Sequence, residues 1–391
     1  MKVDVVIVGA RCAGAATALL LARAGARVVV VDRGRYGTDT LSTHALMRGA
    51  VLQLHRWGVL PAIVNGTPAV TATTFSYLHE DVTVPIEPKY GVEALYAPRR
   101  TLLDGLLSAM AVESGAEVIY GVTVDGLVTG TDGRVRGITA VAGGQRHTIE
   151  ADLVVGADGL YSTVARHVGA EPIVVGRHAA AVLYSYWSGM NEANYRWVFR
   201  QDGSIGAIPT NDATCVFVSV PARQFKDRVR AASLGPPSGR ANATEAYHRL
   251  LHEVCPEFGA RLEGATRVEA VHGFGGHPGF IKRSTGPGWA LVGDAGYFKD
   301  PATAHGITDA LRDAELLARA VLAGSTAAME QFEATRLELS RRLFEITDEI
   351  ASFAYSDGQL QSLHREFSRE MSREVHALAA LEPLPCLSAA G

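Results

Sequence analysis

Residues 3–8, VDVVIV, are apolar and β-branched apart from one acid, and Gly9 ends the run. Such a run suits a short strand buried in a parallel sheet. Residues 14–24, GAATALLLARA, read as a helix, with Gly25 at the C-terminal position that glycine favours. Residues 27–32, RVVVVD, repeat the strand pattern. Together they predict a βαβ unit, whose right-handed crossover makes the two strands parallel.

The pattern continues with a helix over 45–58, carrying Leu46, Leu52, Leu54 and Trp57, and strand-like alternation over 69–86. A second amphipathic helix is predicted over 101–114. EVIYGVTVDGLVTG and GRVRGITAV then read as strands joined at the Asp132-Gly133 turn. ADLVVGADG, residues 151–159, is another buried strand ending in a glycine-flanked acid.

From about 173 to 282 the character changes. AAAVLYSYW, YRWVFRQ, SIGAIPT and ATCVFVSVP predict successive antiparallel strands, with an exposed loop at GPPSGRANAT (235–244) and a helix over 245–252. The α/β pattern returns at WALVGD (289–294), followed by a helix over 305–323 and mostly helix over 327–380. The expected organisation is one discontinuous α/β domain (1–70, 95–172 and 283–325), a β-rich insert (71–94 and 173–282) and C-terminal helices (326–391).

Composition adds limits. The 391 residues are 47% hydrophobic and 20% charged, with net charge −4. About 150 residues per domain makes two or three domains. No basic cluster exceeds an Arg pair, which argues against nucleic acid as a partner. Cys12, Cys215, Cys255 and Cys386 are far apart and lack metal-site spacing; no metal is expected, and a reducing cytoplasm fits. No stretch reaches the roughly 18 uncharged apolar residues of a membrane helix.

Candidate chemistry begins at Gly9-Ala10-Arg11-Cys12-Ala13-Gly14. Gly9 turns the chain after the strand, and Gly14 lets helix and strand pack closely. The helix N-terminus offers N–H groups to a pyrophosphate. Arg11 stands where the usual fingerprint has its middle glycine. Asp32 closes the second strand, where an acid accepts ribose hydroxyls, with Arg33 beside it. An adenine dinucleotide is the expected ligand.

Three further stretches join this one: an Arg pair at Arg99-Arg100, GADGLYS at 156–162, and GDAGYFKDPATAHGITDALRDA from Gly293. With these four the chain resembles the FAD-dependent oxidoreductases of the aromatic-hydroxylase type, the single-component flavoprotein monooxygenases. The late motif is the specific part: Pro301, Gly306, Asp313 and Ala314 fall in the family's register after Asp294. The resemblance covers about residues 1–325.

The resemblance implies a Rossmann-like FAD-binding three-layer domain with an inserted antiparallel β-sheet substrate domain and a C-terminal helical segment. It implies FAD and NAD(P)H as cofactors and O2 as co-substrate. Asp294, with Gly293, would hold the ribityl chain. Asp158 and Gly159 would lie near the pyrophosphate, Arg48 and Arg100 near phosphate and ribityl, and Val124 also in the cofactor site. The helix opening at Gly306-Ile307 would face the flavin. Asp300, Pro301 and His305 would stand near the reacting face.

The reaction so implied is hydroxylation or epoxidation of a small aromatic or polyketide-like metabolite through a flavin C4a-hydroperoxide. Tyr184, Tyr186, Trp197, Phe199 and Pro209, on the insert, are the expected substrate contacts. Gly296, Ala304 and Thr308 depart from the family's pattern. Alternatives are a prenyl or alkene reductase, a halogenase, whose Trp-x-Trp-x-Ile-Pro signature is absent, and a non-catalytic flavin redox sensor. Monomer and homodimer both stay open.

Overall fold

The computed structural model describes residues 2–231 and 239–386. Strand Lys2–Val8 pairs in parallel with Val28–Asp32 on one side and Gln145–Gly156 on the other. Glu117–Tyr120 and Trp289–Leu291 extend the sheet outward in parallel. Successive side chains of the first strand enter different cores: Val5 and Ile7 meet one, Val6 and Val8 the other. Both faces are covered, so the run is apolar throughout rather than alternating.

Helices Cys12–Arg23, Arg100–Glu113 and Gly306–Ala323 pack together on one face. The hairpin Thr123–Thr129/Val135–Ala142 covers the other. The mixed α/β architecture with three layers is therefore the one the pattern predicts.

A second sheet carries Ala180–Ser188, Thr214–Pro221, Gly203–Pro209 and Tyr195–Arg200 in that spatial order, then Ala72–Ser76 and Asp81–Pro85. It is antiparallel except where Tyr195–Arg200 runs parallel to Ala72–Ser76. Alternation sends Tyr184, Tyr186, Trp197 and Phe217 into the core shared with the helical layer. Leu183, Trp187, Val198 and Val216 enter a separate core with helix Gly239–Val254. Gly206 pairs with Phe217, whose ring occupies the place of a side chain: a Cβ there would lie 2.0 Å from it.

Several boundaries move. The helix expected over 45–58 is Arg48–Arg56, because Leu46 bridges to Tyr96 instead. The last parallel strand stops at Leu291, where Gly293 (φ +56°) turns the chain into a short 3-10 helix. Of the segment expected as a loop, residues 235–238 lie outside the described residues, and helix begins at Gly239. The tail forms Thr326–Ile350 and Asp357–Ala379, the latter opened by a capping box of Ser356 and Gln359. Among the described residues, no helix is long and apolar enough to cross a membrane.

Candidate cofactor and substrate site

Gly9, Asp158 and Asp294 each follow closely on the carboxyl end of a neighbouring parallel strand, and Asp32 ends another. That edge is where an open α/β sheet leaves a crevice for a ligand. Gly9 adopts φ +108°, and a Cβ there would sit 2.3 Å from the Ala157 carbonyl oxygen. At Gly14 the same atom would lie 1.8 Å from the Gly9 oxygen. Only hydrogen fits at either place, so helix and strand approach closely. Asp32 accepts the Ala10 N–H at 2.8 Å and the Gly34 N–H at 2.6 Å, fixing the turn. Arg33 is exposed, and Val124 is buried in the hairpin layer.

Arg11 caps the first helix without entering it. Its guanidinium donates to the Thr38 carbonyl at 3.0 Å and to Asp104 at 3.3 Å, so it spans from the glycine turn to the 38–39 loop. Arg100 is buried behind, 2.9 Å from Asp104 and 3.5 Å from the Cys12 sulfur. Burial pushes the Cys12 thiol up to about 11, which keeps it protonated. Ala13 faces Gly293: a Cβ on Gly293 would come 3.0 Å from that of Ala13.

The floor is more telling. Between Gly288 and Asp300 every residue is buried except Asp294. Gly306, first residue of its helix, is also exposed, and a Cβ there would meet nothing within 4 Å. Ile307 is buried beside it, and Pro301 is half-buried. The helix N-terminus thus presents its free N–H groups and positive dipole end to open space near an accessible acid. Hydrogen-only turns, two helix N-termini and a solvent-reachable carboxylate fit a dinucleotide carrying hydroxyls and a pyrophosphate.

Other residues take different roles. Asp158 accepts from the Ser162 hydroxyl at 2.5 Å and the Thr163 N–H at 2.6 Å, capping helix Thr163–His167, while Gly159 (φ +80°) turns the chain. Arg48 donates to the carbonyls of Glu87 (2.6 Å) and Val92 (3.3 Å), toward the 87–92 loop. Asp300 accepts the Ala302 N–H at 2.9 Å and the Ala180 N–H at 2.7 Å. It caps the Pro301 turn and ties that turn to the second sheet. Burial pushes its carboxyl up to about 7.

His305 is buried beneath the floor. Its Nδ1 is 3.1 Å from Lys299 Nζ, and its Nε2 is 3.1 Å from Glu374 on the C-terminal helix. Burial and Lys299 push its pKa down, but Asp309 and Glu374 outweigh them and hold it above the ordinary value. The ligand atoms of His305, Asp309 and Glu374 lie within 4.8 Å of one another. Lys299 and Arg312 already place two cations among them, at 2.9 Å from Asp309 and 2.7 Å from Glu374 respectively.

On the second sheet, the Tyr186 hydroxyl bonds to His44, and the Tyr184 hydroxyl accepts the Ser42 N–H at 3.3 Å. Trp197 packs on Phe217, ring centroids 5.7 Å apart, while Phe199 packs against His364 at 4.6 Å, toward the C-terminal helix. Pro209 ends its strand opposite Thr214. Sequence reasoning passed over Asp39, His44, Glu269 and His364. No periodicity or motif marks them, because each acquires its partner only through tertiary packing.

A family profile described as an FAD binding domain matches residues 2–346. The digeranylgeranylglycerophospholipid reductase of Methanothrix thermoacetophila is 27% identical over 337 residues, 83% of this chain and 80% of that protein. A probable electron transfer flavoprotein-quinone oxidoreductase of Escherichia coli, YdiS, is 32% identical over 187 residues, which cover 46% of this chain. That match spans 42% of the relative's length. Among solved structures, the flavin-dependent brominase Bmp2 has a TM-score of 0.76 at 19% identity, covering 97% of this chain and 94% of its own. PqsL of Pseudomonas aeruginosa, a probable FAD-dependent monooxygenase, has 0.74 at 18%, covering 95% and 100%. At such identities the likeness is one of fold.

Proposed function

Since the chain belongs to the FAD binding domain family of flavoproteins, we propose that it is an NAD(P)H-dependent monooxygenase acting on a small aromatic or polyketide-like molecule. One oxygen atom of O2 enters the substrate, the other leaves as water, and NAD(P)H supplies the two electrons. FAD, when bound, supplies the hydride acceptance and oxygen activation that side chains lack. The observation that carries the reading is the paired exposure of Asp294 and Gly306, each set between buried neighbours.

The chain's own residues bind, orient and exclude water. Asp294 would hold hydroxyls of the ribityl chain, and the N-terminus of helix Gly306–Ala323 would offset negative charge on the reduced flavin. Tyr184, Tyr186, Trp197 and Phe217 supply a dry wall. His305 and Asp300 act by position: one secures the helix from below, the other secures the Pro301 turn.

The match to the digeranylgeranylglycerophospholipid reductase covers more of the chain than the E. coli match does. It favours a second reading, a flavin-dependent reductase of an alkene. FAD-loaded protein assayed for NAD(P)H oxidation against a panel of phenols, with and without oxygen, separates the two. The monooxygenase needs both substrate and O2 for stimulated turnover. Substrate reduction under strict anaerobiosis would overturn it in favour of the reductase. Protein that stays colourless after incubation with FAD would defeat both.

A further inference from the structure

We infer that the seam between the cofactor layer and the aromatic sheet admits uncharged aromatic substrates and turns away carboxylates, with Asp39, Arg99 and Glu269 setting that choice. The inference rests on the monooxygenase reading only in taking this seam as the way to the flavin.

Arg99 caps helix Arg100–Glu113 and lays its guanidinium over the Tyr186 ring, 3.7 Å from the centroid. One nitrogen donates to Asp39 at 2.6 Å, the other to Glu269 at 2.8 Å. The Arg99 side chain is 11% exposed, whereas those of Asp39 and Glu269 are 31% and 35% exposed. One inward positive charge therefore stands behind two outward negative charges. A ligand approaching from solvent meets the outward pair first, and the field of part-buried charges is screened less than that of fully exposed ones.

The sheet face offers no compensation. Tyr184, Tyr186 and Trp197 are aromatic. His44, bonded to the Tyr186 hydroxyl, is held neutral, since burial depresses its pKa to about 3. His272 stacks on Tyr184 and stands 3.7 Å from Glu269, on the side of the negative charge. Two further cations stand by the pair and are engaged: Arg11 donates to the Asp39 carbonyl and to Asp104, and Arg267 donates to the Glu269 carbonyl. An entering carboxylate thus meets two carboxylates and a guanidinium already paired twice. A phenol, alcohol or ketone carries no charge for that outward pair to repel.

The test titrates full-length FAD-loaded protein with 2-naphthol and 2-naphthoate, one ring bearing a neutral or an anionic group at neutral pH. Flavin absorbance and ligand-induced change in Tm report binding separately. The wild type should bind naphthol at least about tenfold tighter. D39N/E269Q should tighten naphthoate about tenfold and leave naphthol within about twofold. E269Q alone should give a smaller change in the same direction, and it decides the matter should the double variant fail to fold. Equal binding of the two ligands, an unchanged ratio in the variants, or yellow protein that binds neither overturns the inference. Protein that does not turn yellow overturns the monooxygenase reading instead.

Discussion

Gly9 and Gly306 both border the crevice, yet their lack of a side chain serves opposite ends. At Gly9 a methyl group would strike the Ala157 carbonyl, so glycine there lets the fold close. At Gly306 a methyl group would touch nothing in the chain, so glycine there keeps space for something else. The two substitutions should separate accordingly. Gly306→Val should leave the Tm of cofactor-free protein nearly unchanged and weaken FAD at least about tenfold, roughly 1.4 kcal/mol. Gly9→Ala should prevent folding outright. Retained FAD affinity in Gly306→Val, measured by fluorescence quenching, would show that this helix end does not face the cofactor. Two positions from Gly306, Ala304 adopts φ +49°, a left-handed conformation that costs a residue with a Cβ about 1–2 kcal/mol. Ala304 is one of the departures from the family's pattern, and the backbone shows that glycine would be the easier residue there.

Among the elements, the C-terminal helix Asp357–Ala379 meets the second sheet through Asp357, which accepts the Leu78 N–H, through Gln361, which donates to Glu80, and through one imidazole. His364 Nδ1 meets the Tyr77 hydroxyl at 2.8 Å, and its ring lies among Phe75, Tyr77 and Phe199. Burial depresses its pKa to about 4 from an ordinary 6.5. The unfolded chain therefore binds the proton first, and stability falls as pH drops from about 6.5 to about 4. Limited proteolysis should release this helix progressively over that window, and His364→Phe should abolish the pH dependence. A helix released equally in wild type and variant would place the acid-sensitive contact elsewhere. This attachment was illegible in the sequence, as was the parallel pairing of Ala72–Ser76 with Tyr195–Arg200, because both join distant segments without a local mark. The positions of the glycine turn, Asp32, Asp158 and Asp294 were legible, because each lies at or just beyond an apolar strand end. Tyr184 and Tyr186 were legible as sharing one face of their strand, and Trp197 and Phe199 as sharing one face of theirs, since period-two alternation survives in an antiparallel ladder.

At the scale of the molecule, the buried charges beneath the floor bind three elements into one support. Lys299, Arg312 and Arg336 face Asp309, Asp313 and Glu374, with His305 among them. Asp309 and Asp313 lie on helix Gly306–Ala323, Glu374 on the last helix, and Arg336 on Thr326–Ile350. Asp313 also accepts the Gly293 N–H at 3.1 Å, which joins the network to the turn that carries Asp294. These buried charges compensate one another only when all are present. Glu374→Gln leaves Arg312 and His305 short of a buried counter-charge and should cost about 3–5 kcal/mol, seen as a large fall in Tm. Because the network holds the helix that opens at Gly306, FAD affinity should fall with stability although Glu374 lies away from the crevice. Saturating FAD should then restore part of the lost Tm, since a ligand that binds only the folded state stabilises it by mass action. A variant that loses Tm yet binds FAD as tightly as wild type would mean that the charges support the fold without positioning the crevice.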